Sequence, residues 1–122
     1  MKKLLKIVLV SSMTLLCFSC YYDEFPQEVE VVIPPDQVVS FADDIAPIFV
    51  TYNCTQCHKP SGQSPDLTEG NAYNSLVPTY VSAGNPTDSR FYIQIAINGH
   101  RSVDAESIAL IKKWIEDGAE NN

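Results

Sequence analysis

Cys54-Thr55-Gln56-Cys57-His58 is the stretch on which the reading of this chain turns. Two thiols three positions apart on a helical turn can both add, as thioethers, to the vinyl groups of one haem, and the histidine that follows is then held beneath the iron. The pentapeptide is the attachment pattern of a c-type haem, with Cys54 and Cys57 as covalent anchors and His58 as proximal metal ligand. Two other chemistries use similar residues. A Cys-x-x-Cys redox pair belongs in a thioredoxin-like βαβ unit, which the helical flanks here do not supply. A structural zinc site needs four ligands, and beyond Cys54, Cys57 and His58 the conventional addition is His100 once the leader cysteines are set aside. One covalent haem is therefore the cofactor expected.

Upstream, Lys2, Lys3 and Lys6 precede an apolar run from Ile7 to Leu16, shorter than the roughly 20 residues that a bilayer-spanning helix needs. Residues 1–19 thus read as a cleavable signal peptide. Cys17-Phe18-Ser19-Cys20 puts a small residue directly before a cysteine and resembles the lipobox of bacterial lipoproteins, with Cys20 as the lipidated first mature residue. Leu is usual in that family at the place of Cys17 and a small residue at that of Phe18, so Cys17 as the modified residue, or simple secretion, are the alternatives. Acyl chains on one cysteine would hold the protein at a membrane surface, since each buried methylene contributes about 0.8 kcal/mol. Haem is attached to c-type proteins after export, so leader and motif agree. The expected location is the cell envelope, on the periplasmic side or at the outer membrane.

The formal net charge is −7, and because the leader holds three lysines and no acid, the remainder sets five basic residues against fifteen acidic ones. Nucleic acid is excluded as a partner on this balance. Residues 20–38 hold Asp23, Glu24, Glu28, Glu30 and Asp36 among Pro26, Pro34 and Pro35, the composition of an extended tether. Glu28-Val29-Glu30-Val31 alternates as a strand does, but the prolines beyond it allow at most a short edge piece.

Residues 39–121 carry helical signals and no internal repeat. Ser40 is placed to cap a helix, Asp43 follows three residues on, and Phe41, Ile45, Ile48 and Phe49 form a stripe at helical spacing. Pro47 must kink that helix or start it afresh, since it donates no backbone hydrogen bond. A short helix is expected over Glu69 to Leu76, and Asn85-Pro86 marks a turn. Asp88 to Ile97 fits two readings. Phe91-Tyr92-Ile93-Gln94-Ile95 has strand-like residues, yet Phe91 with Ile95 and Tyr92 with Ala96 fit a helix capped by Asp88. The clearest helix runs from about Ala105 to Asp117, capped by Asp104, striped by Ile108, Ile111, Trp114 and Ile115, and stopped by Gly118. The Phe41 to Phe49 stripe is its best packing partner. Phe49, Tyr73, Phe91, Tyr92 and Trp114 are assigned to the core. A domain of this size is thinly cored alone, and a covalent haem would serve as part of its interior.

On these residues the chain resembles the small class I c-type cytochromes, in particular bacterial lipoprotein forms. The resemblance spans most of residues 39–121. Phe41-Ala42-Asp43-Asp44-Ile45-Ala46-Pro47-Ile48-Phe49 is similar to the helix entering the haem motif, Pro65-Asp66-Leu67 to the loop after it, and Trp114-Ile115-Glu116-Asp117-Gly118-Ala119 to the closing helix. It implies an all-α domain wrapped around one haem, with first and last helices crossing. It also implies that Pro65 lends its carbonyl to the ring of His58, fixing the imidazole and raising its basicity.

The family's distal methionine has no counterpart, as Met1 and Met13 both lie in the leader. His100 stands where it would fall and is the natural substitute as second metal ligand, giving bis-histidine iron of lowered reduction potential. A solvated His100 beside five-coordinate iron is the alternative. Arg101 is placed to pair with a haem propionate, or is an ordinary surface arginine. The function implied is one-electron transfer between redox partner proteins, without catalysis, since no base is paired with a nucleophile. Against it stand a haem enzyme or gas sensor with an open distal site, and a binding lipoprotein in which the cysteine motif is inert.

Overall fold

The computed structural model describes Met1, Lys3 and residues 31–122, and among the described residues all regular structure is helical. The signal peptide, the lipidation candidates Cys17 and Cys20, and the tether up to residue 30 lie outside the described residues, Met1 and Lys3 apart. Residues 31–38 form no regular element, turning once where Gln37 N–H donates to the Pro34 carbonyl at 3.1 Å. Among the described residues no helix is long and apolar enough to cross a membrane.

The first element starts where Ser40 accepts the Asp43 N–H at 3.2 Å. The reciprocal carboxylate is Asp44 rather than Asp43, for Ser40 N–H donates to Asp44 Oδ2 at 2.8 Å. The shift follows from a wide π-turn over Phe41–Ile45, in which Ile45 N–H reaches back to the Ser40 carbonyl at 3.2 Å. That turn hands over to helix α1, Ala46–Thr51, with Pro47 in its first turn. Proline is tolerated there because its missing donor belongs to an end that has no helical partner. Of the two expectations for Pro47, the fresh start is the one observed.

Helix α2, Ala72–Leu76, is shorter than expected, since Gly70 takes a left-handed φ of +79° and keeps residues 69–71 in a turn. A tight turn, Pro86–Asp88, precedes helix α3, Arg90–Tyr92, which widens into a second π-turn, Ile93–Ile97. The ambiguous segment is thus helical, and its cap is Ser89, not Asp88. Ser89 is wholly buried, and its hydroxyl accepts from Ser82 N–H and donates to the Asn85 carbonyl, both at 2.9 Å. Asp88 instead accepts from the Asn85 side chain at 2.7 Å.

Helix α4, Ala105–Glu116, is capped as expected, with Asp104 accepting the Ser107 N–H at 2.7 Å. It ends at Gly118, whose φ of +110° only glycine adopts without strain. Ile111, Trp114 and Ile115 are fully buried, and they meet the Phe41–Phe49 stripe as the hydrophobic pattern required. The Phe41 and Trp114 rings lie 5.3 Å apart, and Tyr73 sits edge-on to Phe41 at 5.2 Å. Polar bonds close this seam. Trp114 donates to the Glu120 carbonyl, Tyr73 to that of Ala119, each at 2.9 Å, and Ala42 N–H donates to the Asn122 carbonyl at 3.0 Å. Packing both ends of the domain against each other turns residues 52–67 and 90–103 toward a common face, where the cavity lies.

Candidate functional site

The motif follows α1 directly. Asn53 takes a left-handed conformation, φ +54°, which asparagine enters more easily than most residues, and reverses the chain into a 3₁₀ turn, Cys54–Gln56. His58 N–H then donates to the Cys54 carbonyl at 2.9 Å. Both thiols are free, Cys54 buried and Cys57 exposed. Burial pushes the Cys54 thiol up from its ordinary pKa, while the nearby Arg101 guanidinium pulls against that rise. Cys54 is accordingly a protonated thiol at neutral pH, with a cation at hand for its thiolate.

After the motif the chain curls beneath it. Gln63 N–H donates to the Cys57 carbonyl at 2.8 Å and Leu67 N–H to that of His58 at 3.0 Å. The curl requires a glycine at position 62, where an added Cβ would meet the Cys57 carbonyl oxygen at 2.3 Å. It delivers the carbonyl of Pro65 to His58 Nδ1, 3.0 Å away. A carbonyl only accepts, so Nδ1 carries the hydrogen and the Nε2 lone pair is left for a ligand or a metal. The expectation for Pro65 is met at this bond.

A cavity of about 400 Å³ opens between the motif, the residues after it and the α3 region. Ile48, Phe49, Leu67, Phe91, Ile95 and Val103 supply apolar walls, and Cys54, Cys57, His58 and His100 all line it. His100 belongs to the 98–104 loop. Gly99, at φ +60°, turns the chain there, and His100 N–H is anchored on the Gln94 carbonyl at 2.9 Å. The His58 and His100 rings are 6.0 Å apart, centroid to centroid, with an interplanar angle of 75°. Histidines 42 positions apart in the chain thus line one cavity with their rings in an edge-type arrangement.

That separation tests the donor set. Two imidazole nitrogens each about 2 Å from one metal and on opposite sides of it put their ring centroids roughly 6 Å apart. Among the described residues no three His, Cys, Asp or Glu side chains converge as a metal cluster. The arrangement therefore departs from the four converging donors of structural zinc. A flat group between two imidazoles, tied at its edge by sulfur, is compatible with it, and the cavity falls within the roughly 300–1,000 Å³ usual for cofactor pockets.

Two arginines also line the cavity. Arg101 is marked in the sequence by its place beside His100, whereas Arg90, whose guanidinium lies 5.6 Å from the Tyr80 ring centroid, carries no such mark. Among the described residues the ion pairs are Lys112–Glu116 and Lys113–Asp117, so neither arginine is matched to a carboxylate. Only Arg90's i+1 neighbour Phe91, a core residue in both readings of the segment, could have flagged it as lying beside the cavity. No protein-family model, no curated protein and no solved structure matches this chain.

Proposed function

We propose that the protein is an exported carrier of single electrons, built on one haem that Cys54 and Cys57 would hold covalently and whose iron His58 and His100 would ligate. The observation that carries this reading is that the His58 and His100 rings, 6.0 Å apart between centroids, line the same cavity as both motif cysteines. When bound, the haem supplies a one-electron couple. The chain's own residues supply the rest. Cys54 and Cys57 fix the ring covalently, while Pro65 holds His58 in the tautomer whose Nε2 is free. Ile48, Phe49, Leu67, Phe91 and Ile95 exclude water from one face, and low polarity there limits solvent reorganisation on electron transfer. Arg90 and Arg101, both lining the cavity, would donate to the propionate carboxylates, for which a guanidinium fork is well shaped. If His58 and His100 both held the metal, the chain would leave no open position for a substrate, which is why the reading is electron transport rather than catalysis. Export and a lipid anchor at Cys20 complete the proposal: the carrier works at a membrane surface of the cell envelope and passes electrons to and from redox partner proteins.

The test is the optical and magnetic spectrum of the full chain matured in a host competent for haem attachment, beside that of His100→Ala. Thioether haem with low-spin bands in both oxidation states is expected for the parent, and a high-spin or water-ligated form for the variant. A colourless parent refutes haem attachment. An unchanged spectrum in His100→Ala refutes the sixth ligand.

A further inference from the structure

The loop that bears His100 is held at its two ends by different means. At its start, Asn98 N–H donates to the Ile93 carbonyl at 3.0 Å and His100 N–H to that of Gln94 at 2.9 Å, both within the adjoining π-turn. Its far end is tied to a distant part of the chain. The Tyr52 hydroxyl donates to Asp104 Oδ2 and accepts the Asp104 backbone N–H at 3.1 Å. Asp104 cannot swing away freely, because its other oxygen, Oδ1, caps α4 through Ser107 at 2.7 Å. Tyr52 directly follows α1 and stands two residues before Cys54. One phenol thus joins the segment that enters the attachment motif to the segment that leaves His100. Among the described residues, these are the hydrogen bonds that tie the 98–104 loop to anything outside residues 93–108.

The geometry points to Tyr52 and Asp104 as a clamp that holds His100 opposite His58 and so sets how readily an outside ligand displaces it. Tyr52 is then a positioning residue for the sixth coordination position, a role that rests on the bis-histidine reading above. Without the phenol hydroxyl the loop keeps its π-turn bonds and its cap, but its far end loses the bond to the α1 side. His100 then departs more often, and the exposed setting of the clamp limits the effect to about three- to tenfold.

The experiment is carbon monoxide binding to the ferrous, haem-loaded full chain by stopped flow. The parent, His100→Ala, Tyr52→Phe, Asp104→Ser and Tyr73→Phe are compared. Serine still caps a helix but is too short to bridge to Tyr52, so Asp104→Ser serves even if Tyr52→Phe does not mature. Tyr73→Phe loses one hydroxyl bond, to the Ala119 carbonyl at 2.9 Å, on the seam away from the loop. Expected are a slow parent, a fast His100→Ala, a rate raised about three- to tenfold in Tyr52→Phe and Asp104→Ser with resting spectra still low-spin, and no change in Tyr73→Phe. Rates equal to the parent's in both clamp variants, with His100→Ala fast, overturn the clamp and leave the ligand reading intact. Equal acceleration in Tyr73→Phe also overturns it, as general loosening. A His100→Ala no faster than the parent overturns the ligand reading and the clamp together.

Discussion

Gly62 shows how much of the site depends on a single missing methyl. Its place beneath the Cys57 carbonyl lets the chain turn back so that Pro65 meets His58. Alanine there must push apart the Cys57 carbonyl and the Lys59 backbone, neither of which is a flexible side-chain tip. Gly62→Ala is therefore expected to cost about 1–3 kcal/mol, as overpacking does, and to lower the yield of haem-loaded protein. Urea denaturation and the haem-to-protein absorbance ratio measure the two effects, and a variant that matches the parent in both would show that the curl can relax. Cys54 presents the opposite case, a residue whose burial raises the pKa of its thiol. Sheltered from water it stays a thiol, less prone to stray oxidation, and Arg101 beside it eases thiolate formation.

At the scale of elements, Asp104 caps α4, and Asp66 accepts from the Thr68 hydroxyl at 2.6 Å and its N–H at 3.0 Å in the loop leading to α2. The Thr68 side chain, with its backbone, holds the Asp66 carboxyl below the usual carboxylate range, and the Ser107 N–H followed by Tyr52 does the same for Asp104. Both pKa values are depressed by folding. Their contribution is therefore complete above the ordinary carboxylate pKa of about 4 and is lost as pH falls through the lower folded values. The urea midpoint should stay flat from neutral pH to about 5 and drop below about 4, less steeply in Asp104→Asn, which keeps a capping side chain but cannot titrate. An identical acid limb in that variant would show that the Asp104 bonds add nothing in solution, as exposed charges often do. The π-turns illustrate another feature of elements. Each sits next to the cavity-forming segments, one leading into α1 and the motif and the other into the His100 loop, and each offsets the chain by one residue from α-helical register.

For the whole molecule, the aromatic seam of Phe41, Tyr73 and Trp114 is the dry half of the core, and the cavity wall is the other half. A domain this small buries a modest share of its surface, so apolar walls left facing solvent bear directly on stability. The chain with both Cys54→Ala and Cys57→Ala, matured without haem, is expected to melt well below the haem-loaded parent, by roughly 4–8 °C for each kcal/mol lost. Differential scanning calorimetry checks this, and equal melting temperatures would mean that the seam alone carries the fold. Charge acts at this scale too. Arg90 and Arg101 line the cavity of an otherwise acidic domain, so its local field differs in sign from its surroundings.

What could be read from residues in order was the local chemistry. The Cys-x-x-Cys-His pattern at Cys54 to His58, the caps at Ser40 and Asp104, the stop at Gly118 and the apolar stripes follow from spacing within a few positions, and spacing along the chain is what a sequence displays. The same periodicities give helical signals over most of residues 39–121 but leave 88–97 open between strand and helix; the all-α character is implied by the resemblance, and among the described residues all regular structure is helical. Register was harder. The π-turns, the late start of α2 after Gly70 and the cap at buried Ser89 each depend on how the backbone is paid out against neighbours that lie elsewhere in the chain. His100 as a partner for His58 is implied by the resemblance; only the tertiary structure set their ring separation of 6.0 Å, put Arg90 on the same cavity and joined Tyr52 to Asp104. These groups are separated by dozens of residues, and their meeting is decided by the docking of α4 against the first helical segment, a packing event that no local pattern encodes.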